Sequence, residues 1–254
     1  MMLIHYPEYQ GSVVFVTGAN SGIGYSQAVA FLEQGAKVFG LDKNADSMTE
    51  LQQKYPENFL FTHGDIREMA ILEEAVTTCL AQFETIDILL NTAGILDDYL
   101  PLHETSHNLW ETVFAVNVTS QFNLTKLVLP IFLEKQTGCI INMASIAGLV
   151  AGGGGVAYTS AKHAIVGFTK QLALDYADKN IRIKGIAPGA IETPMNAADF
   201  VGDGEMAKWV ASETPVKRWA NPDEVAQLTL FLASQQASYL QGNIVPIDGG
   251  WLLK

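Results

Sequence analysis

Tyr158 and Lys162, four positions apart in Tyr-Thr-Ser-Ala-Lys, are the pair in this sequence most suited to proton chemistry. On a helix they share one face. A phenol has a reference pKa of about 10, so bringing it to neutrality takes roughly three units, or about 4 kcal/mol. An ammonium about 4 Å away at an effective dielectric of about 20 supplies a comparable amount, with desolvation of the phenolate acting against it. Such a pair can serve as general acid and base. A partly buried tyrosine beside a snorkelling lysine has the same spacing, so the pair gains meaning only if a hydroxyl and a cofactor site converge on it.

The elements that could bring them together follow from hydrophobic periodicity. Residues 12–17 form an apolar, β-branched run ending at a glycine turn, and 22–35 have helical apolar spacing. The alternation continues with strands predicted at 37–42, 59–65, 86–93, 139–144, 181–187 and 243–247. Helices are predicted at 46–54, 66–83, 108–134, 158–178 and 223–233, the long one bent near Pro130. Strands apolar throughout, separated by helices, imply an α/β fold: a doubly wound, mostly parallel, seven-stranded sheet with helices on both faces. Pro246 lacks a ladder donor, which puts the last strand at an edge. In such a sheet ligands bind at the carboxyl ends of the strands, and Gly18, Asp42, Asp65, Ala93, Ser145 and Pro188 all fall there.

Whole-chain properties narrow the function classes. With 254 residues, 48% of them hydrophobic, the chain can bury a sizeable core as one soluble, globular domain over 1–254. The net charge of −12 argues against nucleic acid as a partner, because phosphate binding needs clustered Lys and Arg. No run is long and apolar enough to span a bilayer, and residues 1–10 do not read as a secretory signal. Cys79 and Cys139 are isolated, which speaks against a disulfide framework or zinc site and for a reducing cytoplasm.

Thr17-Gly-Ala-Asn-Ser-Gly-Ile-Gly24 lies between the first strand and first helix, where a glycine turn lets backbone approach a pyrophosphate at a helix N-terminus. Its spacing is Gly-x-x-x-Gly-x-Gly. Asp42 ends the second strand twenty residues after Gly22, placed to accept from an adenosine ribose and to repel a 2′-phosphate. That favours NAD(H), while Lys43 leaves NADP(H) open.

The glycine loop, Asn91-Thr-Ala-Gly94, Asn117, Ser145, Tyr158-x-x-x-Lys162 and Pro188-Gly189 together resemble the short-chain dehydrogenase/reductase family over almost the whole chain. The resemblance implies a single-domain Rossmann fold, with 1–10 as an N-terminal extension and 190–212 as a substrate lid. It implies that Tyr158 transfers the proton and Ser145 positions the substrate oxygen. Lys162 lowers the phenol pKa and holds the nicotinamide ribose, and Asn117 supports a water-linked proton path. Gly18, Asn20, Ser21, Gly22, Ile23 and Gly24 would meet the phosphates, and Asp42 the ribose. Asp65 and Ile66 would lie at the adenine, Asn91, Ala93 and Gly94 along the adenosine side, and Pro188, Gly189, Ile191 and Thr193 at the nicotinamide. Thr92 departs from the family's usual Asn-Asn-Ala-Gly.

The implied activity is hydride transfer between NAD(P)(H) and a secondary alcohol or ketone, in a cytoplasmic homotetramer pairing the 108–134 and 158–178 helices. Length and the segments Pro215–Val225 and Asp248–Trp251 are similar to bacterial 3-oxoacyl-carrier-protein reductases. No arginine occupies the helix ends at 134–139 and 172–175 where those enzymes meet an acidic carrier, so a dehydrogenase of a small free alcohol, diol, sugar or steroid is the alternative. A non-catalytic dinucleotide-binding sensor is the alternative of another class. Gly152 to Gly155 and the apolar Met195, Phe200, Met206 and Trp209 are expected to border the substrate. His103-Glu-Thr-Ser-His107 matches a zinc-protease pattern, but Pro101 and the N-cap candidates Thr105 and Ser106 place it in a loop, so no metal is expected.

Overall fold

A strand buried at every position needs both faces of its sheet covered. In the computed structural model, which describes residues 4–254, this applies to β1 (Val13–Thr17) and β5 (Gly138–Met143), buried along their whole length. With β2 (Lys37–Asp42), β3 (Phe59–His63), β4 (Ile88–Asn91), β6 (Ile181–Pro188) and β7 (Ile244–Ile247) they form one seven-stranded sheet, ordered β3-β2-β1-β4-β5-β6-β7. Every pair is parallel. The order reverses between β1 and β4, which opens a crevice at their carboxyl ends. β7 is the edge strand, with Pro246 opposite Ala187.

One face of the sheet carries α1 (Gly22–Glu33), α2 (Asp46–Lys54) and α8 (Pro222–Ala233), joined through Val14, Phe31, Val38, Met48 and Leu230. The other carries α3 (Met69–Phe83) and α5 (Ser120–Lys135), packed through Phe15, Leu72, Leu124 and Phe132. Here α6 (Val156–Tyr176) also meets α4 (His107–Phe114) through Ala157, Ala161 and Val113. Small residues on α6 let the two helices approach closely.

Three expectations change. The predicted helix over 108–134 is α4, a π-helical turn at Ala115–Thr119, and α5; the interruption falls at Asn117, whose amide binds the chain after β4, and Pro130 lies inside α5. β3 and β4 are shorter than expected because Asp65 folds into a turn with Arg67, while the Thr92 and Ala93 N–H groups donate to Thr17 Oγ1. The 190–212 segment, over which no helix or strand is predicted, holds a 3-10 helix, Pro194–Phe200, and the start of α7 (Glu205–Glu213). Within the expected N-terminal extension, of which 1–3 lie outside the described residues, Tyr9 is buried, with its ring 4.8 Å from Phe31 and its hydroxyl donating to Leu230 O.

Candidate active site

A continuous cleft of about 1090 Å³ runs along the carboxyl ends of the strands. It exceeds the ~300–1,000 Å³ typical of a single small-ligand pocket, so it has room for a long ligand and a second reactant. Gly18, Ser21, Gly22, Ile23 and Gly24 line it. A Cβ on Gly24 would come 2.1 Å from Gly18 O, so only glycine lets α1 sit directly on the loop. No side chain caps the start of α1, leaving first-turn N–H groups available to an anion. Asp42 also lines the cleft; its two oxygens accept from Asn20 N (3.1 Å) and Asn44 N (2.9 Å), with lone pairs left for ribose hydroxyls. These residues fit a dinucleotide.

Some predicted contacts are braces instead. The side chain of Asn20 turns to α2, accepting from Met48 N at 3.2 Å, and is not part of the cleft wall. Asn91 is buried beneath it, donating to Thr125 Oγ1 (3.2 Å) and Asn142 Oδ1 (2.9 Å), while Asn142 donates to Thr169 Oγ1 (2.9 Å). This amide chain ties β4 and β5 to α5 and α6. Thr92 serves in its variant position by donating to Gln27 Oε1 at 2.6 Å, and Gln27 donates on to Thr229. The Asp65 carboxylate is held by Arg67 at 2.7 Å, which keeps it below the usual carboxylate range, and Ile66 and Arg67 line the cleft beside it. Ala93, Gly94, Pro188, Gly189, Ile191 and Thr193 line the cleft.

Ser145, Tyr158 and Lys162 converge in the middle of the cleft, all buried. Lys162 Nζ donates to Met143 O at 2.7 Å and lies 5.5 Å from the centroid of the Tyr158 ring. Asn117 stands behind them. Its Oδ1 accepts from Ile95 N (2.8 Å) and its Nδ2 donates to Ile95 O (2.9 Å), and a Cβ on Gly94 would lie 3.2 Å from Asn117 Oδ1 and 3.6 Å from Lys162 Nζ. A π turn at a functional position is a recurrent device, and here it aims the amide at the loop after β4.

The expected pKa balance is reversed in the protein alone. Burial pushes Tyr158 up to about 12, against the Ser145 hydrogen bond that lowers it, with Tyr99 and Asp97 raising it further. Burial also pushes Lys162 down to about 8. Desolvation outweighs attraction because the ammonium is as buried as the phenol. At neutral pH Tyr158 is therefore protonated.

No motif or periodicity pointed to Asp97. It is buried, accepting from Gly155 N (2.8 Å) on Oδ1 and from Tyr158 N (2.7 Å) on Oδ2. It thus caps α6 from a distant loop, at the turn carrying the phenol. A Cβ on Gly155 would meet Asp97 Oδ2 at 2.7 Å and Leu100 N at 2.8 Å, which explains a glycine at that position. The following Asp98 and Tyr99 have φ of 59° and 57°, rare for a tyrosine, and both line the cleft.

Met195, Met206 and Trp209 of the expected lid line the cleft, whereas Phe200 packs on Trp219 with centroids 5.0 Å apart. Gly152 and Gly153 line it too; Asp199, Trp219 and Trp251, which periodicity did not flag, complete the wall. His103 lies in a turn and His107 begins α4, which Ser106 caps by accepting from Leu109 N at 3.1 Å, so the H-E-x-x-H motif does not ride on one helix. Among the described residues no three His, Cys, Asp or Glu side chains gather as a metal site, and no helix is long and apolar enough to cross a membrane.

Comparison with known proteins agrees with this geometry. A family model described as enoyl-(acyl carrier protein) reductase matches residues 18–252. The chain is 36% identical over 252 residues to 3beta-hydroxysteroid dehydrogenase 2 of Eggerthella lenta, covering 97% of each chain. It is 34% identical over 248 residues to a 3-oxoacyl-[acyl-carrier-protein] reductase of Thermotoga maritima, covering 96% of this chain and 99% of that one. Among solved structures, levodione reductase superposes with a TM-score of 0.90 at 33% identity, over 95% of this chain and 97% of that one.

Proposed function

As a member of the short-chain dehydrogenase/reductase family the chain is an NAD(P)-dependent oxidoreductase, and we propose that it moves a hydride between NAD(H) and the carbon of a secondary alcohol or ketone, with Tyr158 as acid and base. The observation that carries this is the convergence of buried Tyr158, Lys162 and Ser145 in the same cleft as the uncapped glycine loop and Asp42.

In reduction, protonated Tyr158 gives its proton to the carbonyl oxygen as charge builds there. Ser145 Oγ accepts from Ala147 N (3.1 Å), and its hydroxyl proton, which serves the Tyr158 phenol before substrate binds, can turn to stabilise the same oxygen. Lys162 spends one N–H on Met143 O and keeps two for a ribose hydroxyl and the phenolate that Tyr158 becomes. The nicotinamide, when bound, supplies the hydride in reduction and receives it in oxidation. Asn117 holds Ile95 and so fixes the wall opposite Lys162.

Asp42 supports NAD(H) over NADP(H), since a 2′-phosphate would meet its carboxylate, and the Arg67 guanidinium is committed to Asp65. The Pro194–Phe200 and α7 segment serves as the lid of a single domain. A homotetramer paired through α4, α5 and α6 is supported by exposed Trp110, Phe122, Leu133 and Leu174, and is tested by sedimentation. Two free, buried cysteines suit a cytoplasmic setting.

Tyr158→Phe tests the core of the proposal. Turnover of NADH with a ketone panel falls about 10²–10⁴-fold while NADH binding persists. Unchanged turnover in that variant would sink it.

A further inference from the structure

The cleft is polarised. At the β2 and β3 ends its wall includes the cationic Lys43 and Arg67 with Asp42 and Asp65. Beyond Tyr158 the charged lining residues are Asp98 and Asp199, with no lysine or arginine. Most of the remaining surface there is apolar or aromatic, with Met195, Met206, Trp209 and Trp219, and the polar Asn196 donates its amide to Ile191 O. Tyr99 lines the same cleft, its phenol raised by burial and then by the charges of Asp199 and Asp97. The Asp199 carboxylate is partly buried and makes no hydrogen bond or ion pair among the described residues; burial alone raises it. A carboxylate on the cleft wall with no donor of its own is open to a ligand that brings one.

Resting on the oxidoreductase reading, we propose that the substrate is an uncharged, largely apolar secondary alcohol or ketone carrying a second hydroxyl, which donates to Asp199 at the lid end of the cleft. A substrate with a carboxylate or phosphate at that end meets Asp98 and Asp199 without a compensating cation.

The test uses the protein saturated with NAD⁺, where ketones bind but cannot react, and then NADH for turnover. The probes are 4-methylcyclohexanone, its 4-hydroxy derivative, whose tertiary hydroxyl has no hydride for NAD⁺ to take, and 1-methyl-4-oxocyclohexanecarboxylate, with the same three variants on the longer 2-decalone frame. Trp209, Trp219 and Trp251 line the cleft, so quenching of tryptophan fluorescence reports binding.

On the better frame the hydroxyl compound binds about tenfold more tightly than the parent, the gain of a hydrogen bond to a charged group. The carboxylate binds about tenfold more weakly, from like-charge repulsion. Asp199→Asn shrinks both ratios severalfold, and Asp98→Asn shrinks only the second. A carboxylate that binds as well as its parent, or ratios unmoved in Asp199→Asn, overturns the inference and leaves the oxidoreductase reading intact. No NADH oxidation with either frame or with acetoacetyl thioesters overturns both.

Discussion

Asp97→Asn exchanges one oxygen for an amide and probes how the phenol is held. In the wild type both carboxylate oxygens accept backbone N–H groups at the start of α6, Gly155 at 2.8 Å and Tyr158 at 2.7 Å. Asparagine can accept only one of them, and its NH₂ then points at the other donor. A buried unpaired N–H costs about 1–3 kcal/mol, and losing the negative charge at the N-terminus of a buried helix adds roughly 1 kcal/mol. A loss of about 2–4 kcal/mol lowers Tm by roughly 5–15 °C in a chain of this size.

Catalysis should suffer as well, because displacing the first turn of α6 moves Tyr158; a shift of about 1 Å can cost up to about 100-fold. The pH profile separates this from plain destabilisation. Asp97 raises Tyr158, so removing its charge favours the phenolate, and the rising limb of alcohol oxidation moves to lower pH. Differential scanning calorimetry and kcat against pH provide the readouts. An unchanged Tm together with an unmoved profile would show that Asp97 neither caps α6 nor acts on the phenol.

Two further outcomes follow. Asp42→Ala reduces the NADH over NADPH ratio of kcat/KM by at least about tenfold, as the repulsion of a 2′-phosphate is lost; steady-state kinetics with both cofactors measure it, and an unchanged ratio would remove Asp42 from cofactor choice. Lys184 is fully buried with Nζ donating to Leu232 O at 2.5 Å, and burial pushes both it and Lys162 down to about 8 from 10.5. Below that value these lysines are charged in folded and unfolded chains alike, and the cost of burying them is fully present. From there to the unfolded value the unfolded chain binds more protons, so their contribution to stability rises with pH. Above about pH 10 buried Tyr9 and Tyr158, both raised by burial, act oppositely, staying protonated while the unfolded phenols ionise. Urea denaturation across this range should show the rise and then the fall, and Lys184→Met should flatten the rise while gaining roughly 1–3 kcal/mol at neutral pH.

The strands, their parallel arrangement and the edge position of Pro246 were legible because apolar runs, helical periodicity and proline's missing donor act locally. The Tyr158–Lys162 spacing placed both side chains on one helix face, and the glycine loop and Asp42 announced themselves by position after β1 and β2. The sequence did not reveal which polar residues face the cleft and which brace it. Asn91 and Asn20 read as cofactor contacts, yet they bond Thr125, Asn142 and Met48: Asn91 ends β4 and, one step out of phase, points to the other side of the sheet, while Asn20 sits in the loop after β1 and its side chain turns to α2. The π turn at Asn117 and the cap from Asp97 join segments 22 and 58–61 residues apart, and no local pattern encodes such a pairing. The sequence by itself determined the layered fold and the residue types for proton and hydride chemistry. The tertiary structure decided their ionisation and the character of the substrate end, since both depend on burial and on side chains brought together from distant segments.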